Sequence, residues 1–139
     1  MASIRAISTK SRGAAIIEMA IVLPLLLLLT LGLIEYGWMV IKQSQISDVT
    51  RYAARQAALP SATNGIVTAN VATAMTSDNL NGSGYTVTTN PGNVAGVATG
   101  QPVSVTISVP YANIGLLNTP FIPVPTNLSA SVTMAKEGP

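Results

Sequence analysis

From Ala14 to Ile41 the chain reads AAIIEMAIVLPLLLLLTLGLIEYGWMVI, an apolar run broken by two charges, Glu18 and Glu35. About 20 such residues in a helix cross a hydrocarbon core, so residues 14–41 are read as a transmembrane helix. The Leu, Ile and Val residues between Ile16 and Ile34 favour insertion by roughly 0.3–0.6 kcal/mol each and together outweigh one Glu near an end plus Pro24. Pro24 has no amide to bond back to Ala20, which predicts a kink or local loosening there. The helical pattern then continues. At about 100° per residue, Ile34, Ile41, Val49, Tyr52 and Leu59 gather near one stripe, with Arg51 and Arg55 well off it, so residues 42–59 are read as an amphipathic extension. Leu59 precedes Pro60, and Ser61 to Gly65 is a turn-like cluster. A helix from about Ser11 to Leu59 would be roughly 70 Å long.

Residues 60–139 change character. Val103, Val105, Ile107 and Val109 alternate with Ser104, Thr106 and Ser108, and Leu128, Ala130, Val132 and Met134 alternate with Ser129, Ser131 and Thr133. Both patterns predict half-buried strands. Tyr85, Val87 and Thr89 make a third, weaker strand between Asn81-Gly82-Ser83-Gly84 and Asn90-Pro91-Gly92. Residues Ile66 to Met75 are read as a short second helix, and Tyr111 to Pro125 is too proline-dense for a central strand. Three strands make a small antiparallel sheet whose apolar face needs a cover, and the helix extension is the large apolar surface at hand. The fold class expected is α+β, a long transmembrane helix continuing into a stem packed on a small β-sheet.

Composition narrows the possible chemistry. The chain of 139 residues is 48% hydrophobic and only 9% charged, with net charge +2, no Cys and no His. It lacks the clustered Lys, Arg and aromatic residues of a nucleic-acid binder. Without Cys and His there is no disulfide, thiolate, imidazole base or typical zinc site, and no metal or cofactor is expected. A Ser nucleophile needs a base, and neither Lys42 nor Lys136 sits in a Ser-Lys arrangement, so neither an enzyme nor a small-molecule substrate is expected.

Charge also sets orientation. Arg5, Lys10 and Arg12 precede the apolar run with no acid before Glu18, which keeps residues 1–13 in the cytoplasm as a basic leader and puts the β-rich part, 60–139, outside. A cleaved secretory signal fits poorly, because the run exceeds a typical apolar region of about 7–15 residues and no A-x-A site follows. The segment is therefore read as a retained anchor.

Two features remain at its mouth. Arg12-Gly13-Ala14-Ala15-Ile16-Ile17-Glu18 sets a small residue before the apolar run and a carboxylate five positions after it, which resembles a prepilin cleavage motif. The wider stretch Arg12 to Arg55, with Glu18, Pro24, the leucine run, Glu35-Tyr36-Gly37 and Arg51-Tyr52-Ala53-Ala54-Arg55, is similar to the TadE-like family of the tight-adherence (Tad, or Flp) pilus system.

The resemblance implies a pilin-like fold, a pseudopilin or minor pilin, and a leader removed between Gly13 and Ala14 by a prepilin peptidase. Glu18 would then be the fifth residue of the mature chain, where pilin-like proteins keep a glutamate for processing or assembly. Implied partners are other pilins or pseudopilins of TadE and TadF type, the prepilin peptidase and an inner-membrane assembly platform. The implied location is the bacterial inner membrane, as a single pass. Met19 departs from the family pattern, which more often has an aromatic residue there; the major Flp pilins carry Glu-Tyr and are far shorter.

Residue chemistry gives Glu18 a role independently. Cleavage would leave an ammonium on Ala14, which an ionised Glu18 can pair with in its own helix or a neighbour's. The plainer reading is a carboxylate in the interfacial first turns of a helix. Glu35 lies roughly 25 Å along the helix from Glu18, too far for an acid/base pair, and with Tyr36 and Trp38 is read as an interface anchor in an aromatic belt. Two alternatives stand beside the pilus reading. One is a signal-anchored envelope protein whose outer domain binds a partner or ligand without processing; the other, a type II secretion pseudopilin, is disfavoured because Ala14 stands where that family usually has Phe.

Overall fold

In the computed structural model, which describes residues 10–138, the apolar run and the segment after it form one helix, α1 (Lys10–Ala58). Arg5 and most of the basic leader lie outside the described residues. The helix runs through Pro24 without a break and stops just before Leu59-Pro60, where the proline ring disfavours helical backbone. Contacts divide the chain into two units, one ending at Tyr36 and one of Gly37–Pro139.

In the first unit every large apolar side chain from Ile16 to Ile34 is exposed. A helix that is apolar all round belongs in apolar surroundings, because a surface helix of a soluble domain keeps one polar face. Length and composition suit a membrane span. Thr30 fits that setting: its hydroxyl donates to the Leu26 carbonyl at 2.8 Å, so its polarity is satisfied inside the helix.

The second unit contains the C-terminal part of α1, a second helix α2 (Asn64–Ser77), and strands β1 (Thr86–Asn90), β2 (Pro102–Pro110) and β3 (Asn127–Ala135). The strands form an antiparallel sheet in the order β1-β2-β3. Val87 faces Ile107, which faces Ala130; Val105 faces Val132 and Val109 faces Leu128, so the alternating apolar residues share one side. On the other side Ser104 bonds Thr133 at 2.6 Å and Thr106 bonds Ser131 at 2.8 Å, a hydroxyl ladder that satisfies polar groups without charge. The α+β class and the three strands follow the sequence pattern closely. Helix α2 is longer than expected, because the Thr63 hydroxyl accepts from the Ile66 amide and starts the helix early.

One core joins these elements. Val103, Val105, Ile107 and Val109 are fully buried, clustered with Val67, Val71 and Met75 of α2 and with Ile46, Val49, Ala53, Ala54 and Ala57 of α1. Each such valine or isoleucine contributes about 1.5–3 kcal/mol relative to an exposed one. The stem does pack on the sheet, but on a different stripe. Ile41, Tyr52 and Leu59 are 54%, 43% and 36% exposed, and the buried face is rotated roughly 100° from the stripe that large side chains suggested. Small residues fill much of that face: Ala53, Ala54 and Ala57 are fully buried in the core beside Ile46 and Val49, and dense packing around them contributes dispersion contacts.

Two polar residues fasten the unit. The Asn64 side chain donates to the Gly92 carbonyl and accepts the Val94 amide at 2.9 Å, which holds the β1–β2 connection so that Val94 enters the core. Lys136 is 5% exposed. Its ammonium donates to the carbonyls of Ala57 at 3.1 Å and Leu59 at 2.8 Å, while the Glu137 amide donates to Ala58 at 2.7 Å. The last carbonyls of a helix have no partner within it, and a cation there also complements the helix dipole.

Two substitutions test this packing. Val49→Asp places an unpaired charge in the core and is expected to cost several kcal/mol, on the order of 3, whereas Tyr52→Asp on the exposed stripe costs far less; thermal unfolding and protease resistance of the two variants separate the faces. Lys136→Met removes the side-chain donor from the carbonyl of Ala57 and one of the two donors, with the Ala62 amide, from that of Leu59, and is expected to lower stability by about 1–3 kcal/mol, with faster amide exchange confined at first to the end of α1 and the end of β3.

Candidate functional site

Gly13, Ala14 and Glu18 all lie in α1, with their side chains open to the surroundings. Nothing stands within 4 Å of a Cβ built on Gly13. Ala14 and Glu18 are four residues apart, so they are neighbours on one helical face, about one turn apart. Beyond Glu18, the next carboxylate along α1 is Glu35. A carboxylate on an otherwise apolar helix surface has a definite chemical capability: it seeks a cation or a set of donors, and in hydrocarbon that demand is stronger than in water.

Glu35, Tyr36 and Trp38 fall within one turn at the far end of the run. Glu35 is only 1% exposed, and Tyr36 is 39% exposed. Trp38 is half-buried, its indole N–H donating to the Ile114 carbonyl at 2.7 Å. The ammonium of Lys42 stands 4.9 Å from the centre of the Trp38 ring, and Lys42 is itself buried. A desolvated cation over a tryptophan face is worth about 1–2 kcal/mol. Trp38 therefore has a task within the second unit. It ties the start of the second unit to the β2–β3 connection, a contact 76 residues away in sequence.

Pro24 lies midway in the exposed run, with the helix intact on both sides. The sequence-predicted residues therefore form two groups, one at Gly13–Glu18 and one at Glu35–Trp38, separated by the leucine run. Sequence reasoning did not find Lys42, Asn64 or Lys136. Lys42 carries a signal in its spacing of four from Trp38 and of seven from both Glu35 and Val49. Asn64 follows Thr63 at a helix start, a position that suits capping but says nothing about Gly92. For Lys136, whose partners are 77 and 79 residues away, no local signal exists.

Comparison with known proteins bears on the first of these groups and on the whole helix. Residues 13–55 are TadE-like: they match the family model described as TadE-like protein. No curated protein and no solved structure matches the chain. The TadE-like match begins at Gly13, takes in Glu18, Pro24, Glu35, Tyr36 and Trp38, and ends at Arg55. It lies wholly within α1, so the TadE-like character resides in the helix, and α2 and the sheet lie beyond it.

The Trp38 contact carries its own test. Trp38→Phe keeps the ring but removes the N–H that reaches Ile114. It is expected to lower stability by about 1 kcal/mol and to raise amide exchange across residues 111–118, while exchange in β2 and β3 stays slow.

Proposed function

We propose that this protein is a structural and assembly component of a Tad-type pilus, a pseudopilin or minor pilin rather than an enzyme. A prepilin peptidase removes the leader after Gly13. The observation that carries this reading is the TadE-like helix itself, apolar on every side from Ile16 to Ile34 and bearing one carboxylate, Glu18, a single turn beyond the Gly13–Ala14 bond. The basic residues before the run keep the N-terminus in the cytoplasm and send residues 37–139 to the far side of the bacterial inner membrane.

Physical chemistry supplies the mechanism. Lipid tails are as apolar as leucine, so helices associate in a bilayer through close packing and polar pairing instead of the hydrophobic effect. Cleavage creates an α-ammonium on Ala14, and Glu18 of the same or a neighbouring helix neutralises it. Bringing two such helices together satisfies both charges away from water, which favours lateral association of processed chains over unprocessed ones. The second unit, held at the end of the span, then meets partner pseudopilins or the assembly platform. The alternative of an unprocessed envelope anchor needs no carboxylate near the start of its span and gives Glu18 no task.

Glu18→Ala separates insertion from assembly. In the native host the variant is expected to reach the membrane at normal abundance while surface pili fall severalfold, measured by counting filaments and by the pilin recovered after shearing. Unchanged piliation would count against the assembly role of Glu18.

A further inference from the structure

Strand β3 is an edge of the sheet, and the backbone bonds at its two ends fix which of its amides face outward. At one end the Lys136 amide donates to Gln101 and its carbonyl accepts from Gly100, both at 2.8 Å; at the other the Thr126 carbonyl accepts from Tyr111 at 2.9 Å. Lys136 and Thr126 therefore turn their backbone groups toward β2. Along an antiparallel strand these groups alternate in direction, so Ala130, Val132 and Met134 turn theirs toward β2 as well, while Ser129, Ser131, Thr133 and Ala135 turn theirs away. The Ser129 carbonyl agrees with this phase, because it accepts from the Gln43 side chain of α1 at 2.9 Å. Ser131, Thr133 and Ala135 are exposed, and among the described residues nothing bonds their backbone amides or carbonyls on the outer edge.

Sheets protect such an edge with a charge, a proline or a short strand. At the opposite edge β1 is only five residues long and stops at Asn90-Pro91. Strand β3 runs for nine residues with neither a charge nor a proline. Beside its open half lies a groove of about 420 Å³, lined by Val132 and Met134 of β3 and by Arg51, Tyr52 and Arg55 of α1. The groove thus joins apolar side chains to two guanidiniums. Arg51 makes one exposed contact, with Asp48 at 3.4 Å, a pair worth little in water; Arg55 makes no ion pair among the described residues. A strand added beside β3 would set every second side chain on the face of Val132 and Met134, where the guanidiniums stand.

We propose that the outer edge of β3 is a docking site for an extended acidic segment of another protein, which pairs its backbone with Ser131 and Thr133 and sets a carboxylate against Arg51 and Arg55. In strand addition the main-chain bonds supply affinity and alternate side chains supply selection. Charge decides against a second copy of this chain. Two β3 edges paired antiparallel about Thr133 bring Arg51 and Arg55 of both copies to one seam, and like charges brought together there repel. The inference goes beyond the pilus reading and uses only contacts within the second unit, so it stands whether or not the leader is cut.

The test uses full-length protein at one chain per phosphatidylcholine nanodisc and a peptide with blocked ends, Thr-Val-Thr-Glu-Thr-Glu-Thr-Val-Thr, beside a twin with Lys in place of both Glu. Amide exchange is read residue by residue. The acidic peptide is expected to slow exchange severalfold at Ser131 and Thr133, to leave Ala130 and Val132, already paired with β2, unchanged, and to bind severalfold more tightly than its basic twin. In the double variant Arg51→Glu/Arg55→Glu, altered only on the exposed face of α1, the preference between the peptides reverses. No slowing at Ser131 and Thr133, equal binding of the two peptides, or an unchanged preference in the double variant overturns the proposal. Slow exchange at these amides without peptide, growing with the number of chains per disc, gives the edge to a second copy and overturns it as well.

Discussion

The last carbonyls of α1, at Ala57 and Ala58, and that of Leu59 just beyond it are held by the ammonium of Lys136 and the amide of Glu137, and the arrangement of the second unit depends on that junction. The last carbonyls of a helix have no partner within it and need other donors. Here those donors come from the end of the last strand. The same contacts fix β3 lengthwise against α1, β2 pairs with β3 over its full length, and the valines of β2 then face the alanines of the helix. Lys136 also contributes its backbone to the turn below it, where its amide donates to Gln101 and its carbonyl accepts from Gly100, both at 2.8 Å. One residue thus couples the end of the helix, the end of the sheet and the connection entering β2.

The helix serves two surroundings with two compositions. Through Ile34 it presents large apolar side chains in every direction, which costs nothing in lipid and would be prohibitive in water. From Gly37 onward it buries Ile46 and Val49, then the alanines Ala53, Ala54 and Ala57, and leaves Arg51, Tyr52 and Arg55 exposed. The transition falls at Glu35 to Lys42, where carboxylate, phenol, indole and ammonium lie close together in sequence. In this stretch the side chains begin to contact the rest of the second unit, and Trp38 contributes through both its ring face, under Lys42, and its N–H, on Ile114. The TadE-like match spans both halves of the helix, from Gly13 to Arg55.

Most of the architecture was legible in the sequence because it rests on period. The apolar run, the alternation around Val105 and Val132, and Pro60 and Pro91 as stops set the elements to within a residue or two. What misled was size. Tyr52 and Leu59 are bulky and apolar, so they attracted the predicted stripe, yet of that stripe within the extension only Val49 is in the core, together with Ile46 and the small residues Ala53, Ala54 and Ala57. The polar fasteners were invisible for a different reason: Lys136, Asn64 and Trp38 act on backbone groups between 28 and 79 residues away, and a backbone carbonyl has no sequence signature. The mouth of the helix, Gly13 to Glu18, is the reverse case, since its meaning lies almost wholly in residue order and spacing.

The central claim is that the leader is removed so that Ala14 begins the mature chain. Intact mass and N-terminal sequencing of the protein extracted from membranes of its own host, with a Gly13→Val variant beside it, tests this most directly. The account predicts a mature chain beginning at Ala14 and a variant that keeps its leader. An uncut N-terminus in a host with an active prepilin peptidase would contradict it and leave residues 1–13 as a flank that only orients the span.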